Sequence, residues 1–198
     1  TGHVSIIRKN ITETTAEEVA EYLHDCDAVA CCLGHNLTLK GIFGKPRRLV
    51  THAVRLLCDA LGRKSPGKSV RVVLMNTAGN RNRDLREPIS IPHRLVISLL
   101  RLLVPPHTDN ECAADYLRVS IGQHHSMIEW VVVRPDSLID EDSVTDYSLH
   151  ESPVRSPIFD PGKTSRINVA DFMARLVTES DLWNQWKGKM PVIYNNER

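Results

Sequence analysis

The sequence predicts an α/β protein with a mostly parallel sheet and helices on both faces. Three observations carry that prediction. The segments "DAVACCLG", "SVRVVLMN" and "EWVVVRP" are apolar without alternation, as strands covered on both faces must be. Helical segments lie between them, the pattern of a parallel sheet with right-handed crossovers. The length, 198 residues, suits one domain with a full-sized core.

Taken in order, residues 4–8 ("VSIIR") read as a short first strand. Thr14 with Glu17, or Thr15 with Glu18, makes a capping box, so a helix starts there with Val19, Ala20 and Leu23 on one face. "DAVACCLG" is the second strand and ends at Gly34, and Gly41 and Gly44 lie in a flexible loop. Residues 45–62 form an amphipathic helix closed by Gly62. Leu49, Val50, Ala53, Val54, Leu57 and Leu61 line its buried side, and Arg48, Thr51, His52, Arg55 and Asp59 its polar side. The third strand ends near Asn76, and helices follow around residues 95–103 and 110–119. The fourth strand, "WVVVRP", stops at Arg134 and Pro135, because proline has no N–H to give to a ladder. "INVADFMARLVTE" is a helix capped by Asn168 with Asp171 three residues on, and "MPVIYN" is the last strand.

Composition narrows the function classes. Lys and Arg number 25 against 24 Asp and Glu, so no basic excess favours nucleic acid. Five cysteines form no C-x-x-C pair, and the adjacent Cys31 and Cys32 argue against a disulfide framework, so a reducing cytoplasm is expected. The longest apolar stretch carries Arg94 and Arg101 and falls short of the about 20 residues a bilayer span needs.

Ligands in open parallel sheets collect at the carboxyl ends of strands. The loops gathered there carry Asn10, Gly34 and His35, the run Asn76, Thr77, Ala78 and Gly79, and Pro135. Small and amide-bearing residues let a ligand approach the backbone closely.

The order "IIRKNIT…CDAVACCLGH…VRVVLMNTAG…ADYLRVS…EWVVVRPDSL…SRINVADFMARLV" resembles the atypical short-chain dehydrogenases, and within them the NAD(P)H-binding, NmrA-like and epimerase-like group. The resemblance runs over nearly the whole chain and implies a single Rossmann-like domain over residues 1–198 that binds NAD or NADP. It places Asn10 and Ile11 near the adenine, Gly34 and His35 after the strand beneath the cofactor, Asn76 and Thr77 beside the nicotinamide and substrate, and Pro135 at the nicotinamide end. Segments around residues 80–108 and 136–168, including residues 167–170, stand on the substrate side.

Two departures from the family pattern stand out. No G-x-G-x-x-G or G-x-x-G-x-x-G turn is present to hold a pyrophosphate. The missing strand is expected to be central, its loss leaving two strand edges unpaired in the core, so a first unit of roughly 40 residues is expected to precede Thr1. The Tyr-x-x-x-Lys pair is also absent: Pro106 and Asn110 stand at those positions. His107, one residue away, reads as a solvated loop histidine, although an imidazole is able to serve as an acid.

Other signals are weaker. "PGKTS" has Pro157 where a Walker loop needs its first glycine, and no histidine or cysteine spacing fits zinc. Arg81, Arg83 and Arg86 read as a solvated loop, or as a clamp for an anionic substrate or 2′-phosphate. Residues 88–106 are more apolar than a surface helix needs, which fits a core helix or a packing face for a partner subunit. The functional expectation is an NAD(P)-dependent oxidoreductase or epimerase-like enzyme acting on a small molecule. The second reading is a non-catalytic dinucleotide sensor with a regulatory protein partner.

Overall fold

The central sheet sets Ala28–Cys31 (β1), Val70–Met75 (β2), Ile128–Pro135 (β3), Val192–Asn195 (β7) and Tyr147–His150 (β5) side by side in that order, parallel throughout except for the last. The computed structural model describes residues 3–36, 38–63, 68–85, 87 and 91–196. In chain order the elements are α1 Ala16–Tyr22, β1 Ala28–Cys31, α2 Leu39–Phe43, α3 Leu49–Gly62, β2 Val70–Met75, α4 Ile91–Leu103 and α5 Pro105–Asp115. A π-helical segment, Tyr116–Ile121, continues α5. Then come β3 Ile128–Pro135, β4 Ser137–Ile139, β5 Tyr147–His150, β6 Lys163–Ser165, α6 Arg166–Thr178, α7 Ser180–Trp186 and β7 Val192–Asn195.

The unbroken apolar strands have the physical cause expected of them. Val72, Leu74, Trp130 and Val132 face α3 and α5 on one side of the sheet. Val73, Val131 and Val133 pack with Phe172, Leu176, Trp183 and Trp186 of α6 and α7 on the other. Consecutive side chains in a strand point to opposite faces, so two covered faces require consecutive apolar residues.

The structure corrects several expectations. Residues 4–8 are not a strand: they run without ladder partners, and Val4 and Ile6 are exposed. A strand is held by hydrogen bonds to neighbours, and none is placed beside this segment among the described residues. Among the described residues β1 lies at the edge of the sheet and pairs with β2. Gly41 lies within the short helix α2 rather than in a loop. Of the two capping boxes open in the sequence, the structure uses Thr15 with Glu18.

Asn168 does not cap α6. Ser165 does, accepting from the Asn168 backbone N–H, while the buried Asn168 amide donates to Thr145 Oγ1 and Asn195 Oδ1. Thr51 is buried instead of solvated, bonded to Asp109 of α5, and Leu56 and Ala60 are buried where α3 packs against α1. The antiparallel β5 and the small β4-β6 pair are too short and too mixed in burial to carry a periodic signal. On α4, Leu95, Leu99 and Leu103 form an exposed row four residues apart, within the segment expected as a partner face; Ile89 and Arg86 lie outside the described residues. No helix among the described residues is long and apolar enough to cross a membrane.

Candidate functional site

The carboxyl ends of β1, β2 and β3 lie side by side, since β1-β2 and β2-β3 are both parallel and in register. The turn after β2 is the hub. Asn76 N–H continues the ladder to the Val133 carbonyl at 2.8 Å, and Ala78 N–H donates to the Pro135 carbonyl at 2.8 Å. The Asn76 amide donates to the Asn110 carbonyl of α5 at 2.9 Å and accepts from Thr77 N–H and the Asn80 amide. Thr77 Oγ1 accepts from Gly79 N–H at 3.2 Å. Asn76, Thr77 and Pro135 are thus brought together, and α5 is tied to them.

His35 joins through the same helix. Its Nε2 donates to Asp109 Oδ2 at 2.7 Å, with only 5% of the His35 side chain exposed. Asp109 is fully buried and also accepts from Val50 N–H at 2.8 Å, Thr51 N–H at 3.0 Å and Thr51 Oγ1 at 2.6 Å. Arg48, the residue before α3, makes no side-chain cap bond. Asp109 therefore caps α3 from another helix, with its charge at the positive end of the helix dipole. Gly34 is exposed, and a Cβ built on it would meet nothing within 4 Å.

Asn10 and Ile11 are not joined to this group. The Asn10 side chain is spent on Glu13 and Thr12, and Ile11 packs beside Val19, Leu56 and Ala60. Both belong to the turn ahead of α1.

His107 is not a solvated loop residue. It lies in α5, because Pro105 and Pro106 occupy the first helical turn, where a missing N–H costs nothing. Its side chain is 11% exposed, and a Cβ on Gly79 would sit 3.8 Å from its Cε1. His107 Nε2 is 3.5 Å from Glu111 Oε1 and has no hydrogen-bond partner. Behind it, Arg101 of α4 grips Glu111 with two bonds of 2.7 and 2.8 Å. Burial of Glu111 opposes its charge, but the neighbouring His107 and Arg101 outweigh it and hold the carboxyl at about 2, against an ordinary 4.5. A depressed carboxyl adds stability above its unfolded value and loses it as pH falls towards the folded one. The urea midpoint of the wild type should therefore drop between pH 4.5 and pH 2. E111Q should flatten that limb; identical acid limbs in the two proteins would disprove the assignment.

Arg134, the last residue before Pro135, is fully buried with all of its N–H groups in use. It donates to Glu87 Oε1 and Oε2 at 2.8 and 3.1 Å, and to the carbonyls of Asn80, Glu151 and Met190. This network anchors the loop after β2 to the chain entering β7.

A polar cleft of about 710 Å³ opens beyond β7 on the same side. Tyr194, Gly162, Lys163, His150 and Arg155 are among its walls. The register of Pro135 with Ile193 puts Tyr194 just past the end of β3, where it clusters with Ala78 and Val192. A Cβ at Gly162 would overlap the Tyr194 ring, so only glycine permits the approach. Burial pushes the Tyr194 hydroxyl above its ordinary value, which keeps its proton in place. Among the described residues, no group of three or more His, Cys, Asp or Glu side chains is placed to hold a metal.

Sequence reasoning missed Asp109, Glu111, Arg101, Arg134 and Tyr194. Arginine inside an otherwise apolar strand is a readable sign of a buried, paired charge; the others carry no comparable local mark.

A parallel sheet with covered faces, whose strand ends gather small and amide-bearing residues beside a polar cleft, is the framework of a Rossmann-like dinucleotide-binding domain. The chain belongs to the NAD(P)H-binding family, whose model matches residues 2–180. The NAD(P)H-binding family expected from the sequence is thus shown, and NAD or NADP is the cofactor of that family. Solved structures share the fold. The oxidoreductase ylbE from Lactococcus lactis is 17% identical with a TM-score of 0.60, over 96% of this chain and 71% of that one. A short-chain dehydrogenase/reductase from Veillonella parvula, solved in complex with NADP, is 12% identical with a TM-score of 0.57, over 96% and 71%. ChuY, an anaerobilin reductase from Escherichia coli O157:H7, is 14% identical with a TM-score of 0.58, over 96% and 74%. No curated protein sequence matches the chain.

Proposed function

We propose that the protein is an NAD(P)H-dependent reductase of a small organic acceptor. The nicotinamide half of the cofactor lies along Gly34, His35, Asn76, Thr77 and Pro135, and the acceptor enters from the cleft beyond β7. The observation that carries this reading is the turn at residues 76–79. It is held between the Pro135 and Asn110 carbonyls, with a buried, unpartnered imidazole nitrogen on one side and the Tyr194 wall of the cleft on the other.

The residues present fit the nicotinamide half of a dinucleotide. Gly34 leaves open space beside the backbone, and His107 Nε2 is an orphaned polar atom at the same edge. The sequence contains no glycine-rich turn for the pyrophosphate, and the turn holding Asn10 and Ile11 packs beside α1. When bound, the reduced dinucleotide supplies hydride. The chain's own residues orient the ring, shape the acceptor space and hold the proton. The described residues of segments 80–108 and 136–168 make up the substrate side in this reading, since Asn80, Glu87 and Glu151 are locked to Arg134 and Gly162 and Lys163 wall the cleft.

The test is a fluorescence titration of the full chain with NADPH and with NADH. Saturable binding of at least one is expected, followed by NADPH or NADH oxidation in a screen of carbonyl, quinone and flavin acceptors. Binding of neither would sink the reading. The sensor alternative has no comparable feature behind it. The row of Leu95, Leu99 and Leu103 is an apolar face, and nothing in the structure says what covers it.

A further inference from the structure

We propose that the cleft beyond β7 is a subsite for a monocarboxylate acceptor. Lys163 holds its carboxylate, and its apolar body lies on Ile139, Val154 and Pro161. The proposal rests on the reductase reading and adds the chemical class of the acceptor to it.

The cleft has the size of a small-molecule site: its volume of about 710 Å³ falls within the about 300–1,000 Å³ usual for ligand pockets. Its Lys163 wall is fixed. β6 pairs with β4, setting Lys163 opposite Ser137. Thr164 and Ser165, the next two residues, are fully buried, and Thr164 Oγ1 donates to the Ile193 carbonyl at 2.7 Å. On the other side, Gly162 N–H donates to Asp136 Oδ2 at 2.9 Å, and a Cβ on that glycine would sit 2.3 Å from Tyr194 Cδ1. The Lys163 backbone is thus clamped between buried neighbours, while its side chain is exposed and lines the cleft.

The charges of the cleft select the ligand. Arg155 is engaged, donating to Asp160 Oδ1 at 2.8 Å. Glu141 Oε2 accepts from Thr145 Oγ1 at 3.2 Å and from the Asn195 amide at 3.1 Å. His150 Nε2 meets Ser148 Oγ at 3.0 Å, and its ring packs on that of Tyr194 with centroids 5.8 Å apart. Lys163 Nζ has neither an ion-pair nor a hydrogen-bond partner among the described residues. Lys163 and Glu141 therefore line one cleft without pairing. A phosphate dianion calls for several donors at once, typically a guanidinium fork or a row of backbone N–H groups. Here the Gly162 N–H is spent on Asp136 and Arg155 on Asp160. One open ammonium fits one carboxylate, and the Glu141 charge opposes a second. Ile139, Val154 and Pro161 line the same space, with Val154 62% exposed, so an apolar body gains by covering them. Tyr194 lines the cleft and clusters with Ala78, so the cleft and the turn proposed for the nicotinamide share a wall.

The experiment uses the full chain and three matched probes: 2-naphthoate, its neutral amide, and naphthalene-2,6-dicarboxylate. Dissociation constants are read by ligand-observed NMR, with and without NADP+ or NAD+. Wild type should bind 2-naphthoate about tenfold or more tighter than the amide, the range of a hydrogen bond to a charged group. K163M should erase that preference, and K163R, which keeps the charge, should retain most of it. E141Q should narrow the gap between the mono- and dicarboxylate. Added salt should weaken the binding of 2-naphthoate and leave that of the amide unchanged. With the oxidised dinucleotide bound, NOEs should connect nicotinamide and naphthoate protons.

Equal Kd values for 2-naphthoate in wild type and K163M overturn the carboxylate subsite. So does wild type that binds the acid no better than the amide, or binds no 2-naphthoate at all. Naphthoate and dinucleotide bound together without NOEs between them overturn the acceptor role. Wild type that binds 2-naphthoate but no dinucleotide sinks the reductase reading and the acceptor role with it, while the carboxylate subsite stands.

Discussion

Arg134→Met is expected to lower the unfolding free energy by about 3–5 kcal/mol, the cost of breaking a buried ion pair from one side. The change leaves the Glu87 carboxylate, 4% exposed, without its partner. It also strips donors from the carbonyls of Asn80, Glu151 and Met190. A domain of ordinary stability has about 5–15 kcal/mol in all, so the loss is a large fraction. It should lower the melting temperature by roughly 10 °C, at the about 2–4 °C per kcal/mol typical of this size. Lysine should not rescue the site, because an ammonium offers three donors on a point charge where the guanidinium offers five in a fork. The double variant R134M/E87Q should recover part of the loss, since it removes the stranded charge. Urea unfolding of the three variants beside the wild type checks this, and equal midpoints for R134M and wild type would show that the pair carries no such burden. The functional consequence follows from the same bonds. Arg134 connects the loop after β2 to the approach to β7, so its loss should also loosen the proposed nicotinamide and acceptor sides together.

Asp109→Ala should cost about 3–4 kcal/mol. It removes the cap of α3, about 1–2 kcal/mol by itself, and strands buried donors at about 1–3 kcal/mol. Those donors are the backbone N–H groups of Val50 and Thr51, the Thr51 hydroxyl and His35 Nε2. Asn in the same place keeps an oxygen for the helix N–H groups and should cost less. Amide hydrogen exchange gives a local readout: the Val50 and Thr51 amides should lose protection first in D109A. Unchanged exchange at both would mean that the helix end is held by something else. His35 should lose its fixed orientation in the same variant, so weaker dinucleotide binding is expected along with the lost stability.

The sheet shows which parts of a fold can be read locally. Val131 to Val133 announce a strand covered on both faces because each side chain reports its own burial. Thr15 and Glu18 announce a helix start because both partners of the capping box lie within one turn. The same logic fails where the partner is remote. Residues 4–8 are as β-branched as any strand here, yet they form none, since pairing needs a neighbouring edge that local sequence does not supply. Asn168 reads as a cap from its spacing to Asp171, while the structure gives that role to Ser165 and spends the Asn168 amide on Asn195, 27 residues away. His107 next to two prolines reads as loop, and the prolines turn out to begin a helix.

By itself the sequence determined the α/β class, the three core strands, the main helices and the gathering of Gly34, His35, Asn76, Thr77 and Pro135 near one edge. All of these rest on periodicity or on strand ends, which are local properties. Only the tertiary structure decided the strand order, the separate position of Asn10 and Ile11, the burial of His107, and the polar networks behind the site. His35 meets Asp109 across 74 positions, Asp109 meets Val50 across 59, and Arg134 meets Glu87 across 47. A buried charge is tolerated only where packing delivers its partner, and packing is a property of the assembled chain.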